Sequence, residues 1–329
     1  MMQRRKFIVI AGGALAWPVC ARAQQTNLPV IGFLASPKPE EWISFVTSFR
    51  QGLNSAGYVD GRNVTIEYSW ANGDYARLPE IADELVRRKV NVIVASGGDV
   101  AMRAARTATS TIPIVTTFGG DPVRQGLVES YNRPGTNITG VSLLNIPLEA
   151  KRLDIMQRIF HQDYIFGLLV NTNNPNAQLV IDEVDSAAHK LGLKLYVVRT
   201  TNERGLEAAF QDVERLKVAA LIVSSDPFFV TSARSLVDLA REHRIPTMYY
   251  RREFVDAGGL MSYGTRYPDT YRQIGVMTGE ILKGSKVSEL PVRQPTRFEF
   301  IINYTSVTAL NLTIPPDLLL TADEVIESG

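Results

Sequence analysis

From residue 30 to residue 250 the chain alternates short apolar runs with amphipathic stretches, and this rhythm constrains its fold more than any other feature. Val30 to Ala35, apolar except at Gly32, reads as a fully buried strand that Ser36-Pro37 stops. Trp42, Phe45, Val46, Phe49 and Leu53 then recur at helical spacing, up to the glycine stop in Ala56-Gly57-Tyr58. Strands follow at Val64 to Tyr68, Val90 to Ser96 and Ile112 to Phe118, with helices at Leu78 to Arg88 and Asp99 to Ala108. After a strand-like stretch from Asn137 to Leu144, a second set begins. It has helices at Leu148 to Phe160, Ala177 to Leu191, Leu206 to Leu216 and Phe229 to His243. Its strands are Ile165 to Asn171, Leu193 to Thr200, Ala219 to Ser225 and Pro246 to Tyr250. Buried strands alternating with helices at this pitch specify βαβ units with right-handed crossovers. Two sets of similar size predict an α/β protein of two doubly wound parallel-sheet lobes. The sets are not copies in sequence, so the repeat is one of architecture.

The N-terminus sets an expected compartment. Arg4, Arg5 and Lys6 form a basic segment, Phe7 to Val19 is apolar, and Ala21-Arg22-Ala23 has the pattern of a small-residue cleavage site. The expectation is a signal peptide over residues 1–23, a mature chain beginning at Gln24, and a periplasmic protein. A membrane anchor is the competing reading, but the apolar stretch is shorter than the roughly 20 residues that span a bilayer. The paired arginines fit a twin-arginine signal as well as an ordinary secretory one. Cys20, the sole cysteine, lies inside this segment, so the mature chain has no disulfide or catalytic thiol. Trp17-Pro18-Val19 before Cys20 is a poor lipobox, against a lipoprotein. Removing four basic residues and no acid takes the formal charge from +1 to −3, which gives no electrostatic case for nucleic acid. The mature chain of about 306 residues exceeds what one hydrophobic core organises, again pointing to two lobes.

In open parallel sheets, ligands bind beyond the carboxyl ends of the strands, where loops and helix N-termini expose unpaired N–H groups. Here those ends read Ser36-Pro37, Ser96-Gly97-Gly98-Asp99, Thr116 to Pro122, Asn171 to Pro175 and Ser224-Ser225-Asp226-Pro227. Any one of them is ordinary turn and cap vocabulary. Five, distributed over both sets, suit a cleft lined by short donors and acceptors.

These residues carry a family resemblance. Arg4-Arg5-Lys6-Phe7, Thr111-Ile112-Pro113-Ile114-Val115, Gly119-Gly120-Asp121-Pro122-Val123 with Gly126-Leu127-Val128, and Arg133 to Gly140 resemble the ABC-transporter substrate-binding family that includes tryptophan- and tyrosine-binding receptors. Ile314 to Leu320 with Ala322 to Ile326 matches too, so the likeness covers essentially the whole mature chain. It implies the type I periplasmic binding protein fold, two α/β lobes joined by three crossover strands. On that fold residues 28–143 and 265–294 form lobe 1, and residues 144–264 and 295–329 form lobe 2. The passages are expected near Val141 to Asn145, Leu260 to Tyr263 and Phe298 to Asn303, with helix Tyr267 to Leu282 returning to lobe 1. The resemblance implies a monomeric receptor that delivers a small molecule to an ABC permease and its ATPase.

An amino acid-like ligand offers a carboxylate and an ammonium, and the cleft must replace the water lost from both. Ser96, Thr117 and the N–H groups around Gly97 and Gly98 are candidates for the carboxylate, with Ser36 beside them. Asp226 is the first candidate for the ammonium and Asp121 the second, while Asn173 and Asn174 add neutral partners. Each aspartate precedes a proline and equally suits a helix cap. Aromatic wall candidates are Phe118, Phe228, Tyr249 and Tyr250. An Arg251 that enters the cleft would leave room for a different ligand, a carboxylic acid without an amine.

No cofactor or metal is expected: His161, His189 and His243 show no zinc-ligand spacing, and the chain has no G-x-S-x-G elbow and no P-loop. An exported hydrolase, with Ser224-Ser225-Asp226 drawing a distant histidine, is an alternative, as is a sensory partner of a membrane receptor. A repressor would carry a helix-turn-helix where this chain carries the apolar leader.

Overall fold

The computed structural model describes residues 28–160 and 164–327. The leader, its cleavage site and Cys20 lie outside these residues, as does His161. The first set folds as β1 (Val30–Ala35), α1 (Pro39–Ser55), β2 (Thr65–Trp70), a 3-10 turn at Tyr75–Arg77, α2 (Leu78–Arg87), β3 (Val92–Ser96), α3 (Asp99–Ala108), β4 (Ile114–Phe118) and β5 (Ile138–Ser142). Its strands form one sheet in the order β2-β1-β3-β4-β5, every pair parallel. β3, β4 and β5 are buried at every position, which is why they read as unbroken apolar or small-residue runs.

The second set comprises α4 (Asn145–Gln157), β6 (Ile165–Asn171), α5 (Ala177–Leu191), β7 (Lys194–Thr200), α6 (Arg204–Arg215), β8 (Val218–Val223), α7 (Pro227–Thr231), α8 (Ala233–Glu242), β9 (Thr247–Tyr249), α9 (Arg252–Asp256) and β10 (Met261–Thr265). Helix α10 (Tyr267–Leu282) then packs on α1 against the first sheet. The chain finishes with β11 (Phe298–Asn303), α11 (Tyr304–Ala309), α12 (Pro316–Thr321) and β12 (Glu324–Ile326). The second sheet runs β12-β11-β10-β9-β8-β6-β7, with only the β10–β11 pair antiparallel. The fold is therefore the expected pair of α/β lobes, and no helix among the described residues is long and apolar enough to cross a membrane.

Three passages join the sheets, and they are tied to one another. Val141 bridges Arg293, with Ser142 donating to the Arg293 carbonyl at 2.8 Å. The Thr265 hydroxyl donates to the Leu143 carbonyl at 2.8 Å, and Arg266 N–H reaches Arg297 O at 3.2 Å. Leu144, between the first passage and α4, has φ of 56°, a left-handed conformation uncommon for a leucine. Two expected passages move. Leu260 to Tyr263 and Phe298 to Asn303 are not linkers, because Met261 to Thr265 and Phe298 to Ile302 pair antiparallel inside the second sheet. The chain crosses just outside them, after Thr265 and before Phe298. The single helix expected over Phe229 to His243 is also two, since Ser232 at φ −102° and ψ 16° ends α7 and opens α8.

Candidate ligand-binding site between the lobes

The carboxyl ends of both sheets face each other across a narrow cleft lined by residues of both lobes, the place where open parallel sheets bind ligands. On the lobe 1 side, β3 ends in Ser96-Gly97-Gly98, where Gly97 and Gly98 take φ of 84° and 92° before α3 begins at Asp99. Gly98, Asp99 and Val100, at the start of α3, line the cleft, and a helix leaves its first N–H groups without intrahelical partners. Asp99 is buried. Its Oδ1 accepts from Gly119 N–H at 2.7 Å, and its Oδ2 from Asn176 Nδ2 at 2.6 Å. Thr117 also lines the cleft.

From lobe 2, the loop after β8 contributes Ser225, Asp226 and Pro227. Asp226 caps α7 by accepting from Phe228 N–H at 2.8 Å. The same carboxylate accepts from Asn171 Nδ2 at 3.0 Å, Tyr75 Oη at 3.0 Å and Asn174 Nδ2 at 2.6 Å. Burial pushes its pKa up, opposed by the hydrogen bonds from Asn171, Phe228, Tyr75 and Asn174. The cap and cleft readings of Asp226 are thus both physically present. Tyr250 lines the cleft with its ring and donates its hydroxyl to the Asp226 carbonyl.

Arg251 enters the cleft, clasped by lobe 1 aromatics. Its guanidinium lies 4.5 Å from the ring centres of Phe45 and Tyr267 and 4.9 Å from that of Trp42. Glu253 grips it through two hydrogen bonds of 2.8 and 3.1 Å. Burial works against the Arg251 charge, yet Glu253 outweighs it and the pKa ends above the ordinary value. A second internal pair, Arg152 and Glu149 at 2.7 Å, lies fully buried beneath the loop, where Glu149 accepts from Ser225 N–H and Arg152 donates to the Ser225 hydroxyl and the Tyr263 carbonyl. Both cations therefore have their own carboxylates. Asp99 and Asp226 are satisfied by neutral donors alone.

The remaining sequence candidates sit elsewhere. Ser36 donates to the Gly97 carbonyl, fixing the loop rather than lining the cleft. Ser96 is bound to Trp42 Nε1 at 2.8 Å and Tyr271 Oη at 2.7 Å, and supports the wall from behind. Gly97 shapes the turn while its neighbour Gly98 forms the surface. Asp121 caps the following turn through Val123 N–H at 2.9 Å and borders a different groove. Asn173 faces the outer rim, donating to the Thr201 carbonyl at 3.1 Å. Phe118 and Tyr249 are core, and Phe228 borders the outer groove. Sequence reasoning missed Asp99, Asn176, Tyr75, Tyr267 and Tyr271. The signal for Asp99 was its place directly after a Gly-Gly pair at a strand end. Among the described residues no His, Cys, Asp or Glu cluster is placed to hold a metal ion.

The family model for the ABC transporter substrate binding protein matches residues 40–326. A tyrosine-binding protein from Clostridioides difficile (strain R20291) is 29% identical over 265 residues, covering 80% of this chain and 75% of that protein. Among solved structures, a domain in complex with L-Trp from Streptococcus pneumonia superposes with a TM-score of 0.83 at 23% identity, over 91% of this chain and 100% of that one. The ligand-free, open structure of a substrate binding protein with adhesive properties from Clostridium difficile gives 0.65 at 25% identity, over 92% and 100%. With two α/β lobes meeting at a polar cleft and a family match spanning nearly its whole length, the chain belongs to the ABC transporter substrate-binding protein family.

Proposed function

We propose that this protein is the periplasmic receptor of an ABC importer and captures an amino acid-like ligand between its lobes, an aromatic amino acid being the first candidate. The observation that carries the ligand class is the charge pattern of the cleft. Asp99 and Asp226 approach from opposite lobes with only neutral donors, so a buried ammonium gains a charged acceptor that no protein cation already occupies. The α3 N-terminus offers N–H groups for a carboxylate. The tyrosine-binding relative supports the aromatic choice, and Trp42, Tyr250, Tyr267 and Tyr271 supply flat apolar surface. Arg251, already held by Glu253, is a poor partner for an acid lacking an amine.

In this reading the lobes are residues 28–143 with 265–294, and residues 144–264 with 295–329. The mature chain begins at Gln24, acts as a monomer without catalysis, and docks on a permease driven by an ATPase. Calorimetry on the chain from Gln24 tests the ligand class with L-tyrosine, L-tryptophan, tyramine and 3-(4-hydroxyphenyl)propionate. The amine-bearing probes bind and the deaminated acid does not. Asp226→Asn weakens L-tyrosine binding by about 2–5 kcal/mol, the range for breaking a buried charge pair. Asp121→Asn changes stability by about 1 kcal/mol or less, as a cap would, and leaves affinity in place. Equal binding of the deaminated acid overturns the ammonium assignment.

A further inference from the structure

Asn176 occupies the N-cap position of α5, where an asparagine side chain ordinarily accepts from its own helix. It does not cap. Its Nδ2 crosses the cleft to Asp99 Oδ2 at 2.6 Å, and its Oδ1 accepts from Gln125 Nε2 at 2.7 Å, so both ends of the amide are used by lobe 1. Asn174 Oδ1 accepts from Asn176 N–H at 2.8 Å and holds it in place. On another part of the cleft, lobe 1 answers in kind: the Tyr75 hydroxyl donates to Asp226 Oδ1 at 3.0 Å and accepts from Phe228 N–H at 3.1 Å. The lobe 1 surface is bare where these contacts form. A Cβ on Gly98 would lie 3.0 Å from Pro227 Cγ, and one on Gly120 would lie 2.2 Å from Gln125 Nε2 and 3.3 Å from Asn176 Oδ1.

We infer that Asn176 with Gln125 and Asp99, and Tyr75 with Asp226, are two protein-only latches that hold the lobes closed, so that ligand-free receptor populates the closed state. Ligand affinity is then set partly by Asn176, Gln125 and Tyr75, which are not among the proposed ligand partners, because a pre-closed cleft does not spend binding energy on closure. A hydrogen bond to a carboxylate shifts such an equilibrium by about 10- to 100-fold, enough for two latches to govern which state dominates. The inference does not depend on the identity of the ligand.

Small-angle scattering of the ligand-free chain from Gln24 tests it. The wild type gives the radius of gyration calculated from this structure, and the double variant Asn176→Ala with Tyr75→Phe gives a larger one, with unchanged circular dichroism. Asn176→Asp, which sets a carboxylate against Asp99, also expands the protein. Adding Asp99→Asn to it restores a donor facing an acceptor and returns the compact radius, which a folding defect would not allow. A wild type already as expanded as the double variant overturns the latch, as does a double variant as compact as the wild type. Every arm reads ligand-free protein, so a failure of L-tyrosine to bind would fault the proposed ligand and leave this result standing.

Discussion

Asp226 combines two demands that usually fall on different residues. It caps a five-residue helix, and it places a carboxylate, satisfied only by uncharged donors, on the wall of the cleft. Burial raises its pKa from the ordinary 3.8, against four hydrogen bonds that favour the anion. The linkage sign follows: between the ordinary value and the raised one, the folded protein binds more protons than the unfolded chain, so stability falls as pH rises through that window. In urea unfolding, the stability of wild type minus that of Asp226→Asn is therefore largest below the ordinary carboxylate pKa. It declines as pH climbs through the folded pKa and is flat above it. A difference that grows with pH would mean that the hydrogen bonds, not burial, dominate. Asp226 and Tyr250 were legible because they follow apolar runs at strand ends, where a parallel sheet opens. Asn176 and Tyr75 were not: one looks like an ordinary helix cap, the other lies in a 3-10 turn that no periodicity marks, and each acquires its role only from a partner on the opposite lobe.

Helices α1 and α10 show how an element can be placed by two missing side chains. A Cβ on Gly52 would lie 2.0 Å from the Arg272 carbonyl oxygen, and one on Gly275 would lie 2.1 Å from that of Phe49. Backbone meets backbone, so the far sequence segment is drawn onto lobe 1 by close approach and by the Trp42, Phe45 and Tyr271 rings beside it. Gly275→Ala forces the helices apart and costs about 1–3 kcal/mol, as overpacking does, lowering Tm by about 2–4 °C for each kcal/mol in a domain of this size. Gly52→Ala acts alike. The double variant loses less than the sum, because the first methyl has already opened the gap that the second needs. A Tm unchanged in both single variants would show that the crossing tolerates a wider separation. Inner strands such as β3 and β4 were readable from sequence because burial at every position leaves continuous apolar or small-residue runs. The tail elements β12 and α12, at three and six residues, are too short to show a period, and β12 exists through its pairing with β11.

At the scale of the molecule, two sheets joined by three mutually bonded passages make closure the one large motion the chain is built for. Trp42 is placed to report it. The ring is 2% exposed on lobe 1, its Nε1 donates to Ser96 and Tyr271, and the lobe 2 guanidinium of Arg251 stands 4.9 Å from its centre. Opening the lobes withdraws Arg251 and wets the ring. In a chain starting at Gln24 and carrying Trp70→Phe, Trp42 is the only tryptophan, so the emission has one source. Its maximum shifts to longer wavelength when Asn176→Ala and Tyr75→Phe release the lobes, and returns when a bound ligand draws them together again. An emission maximum that stays fixed while scattering records expansion would show that Arg251 travels with Trp42. The hinge axis would then pass through the aromatic cage, and the lobes would swing about that cation.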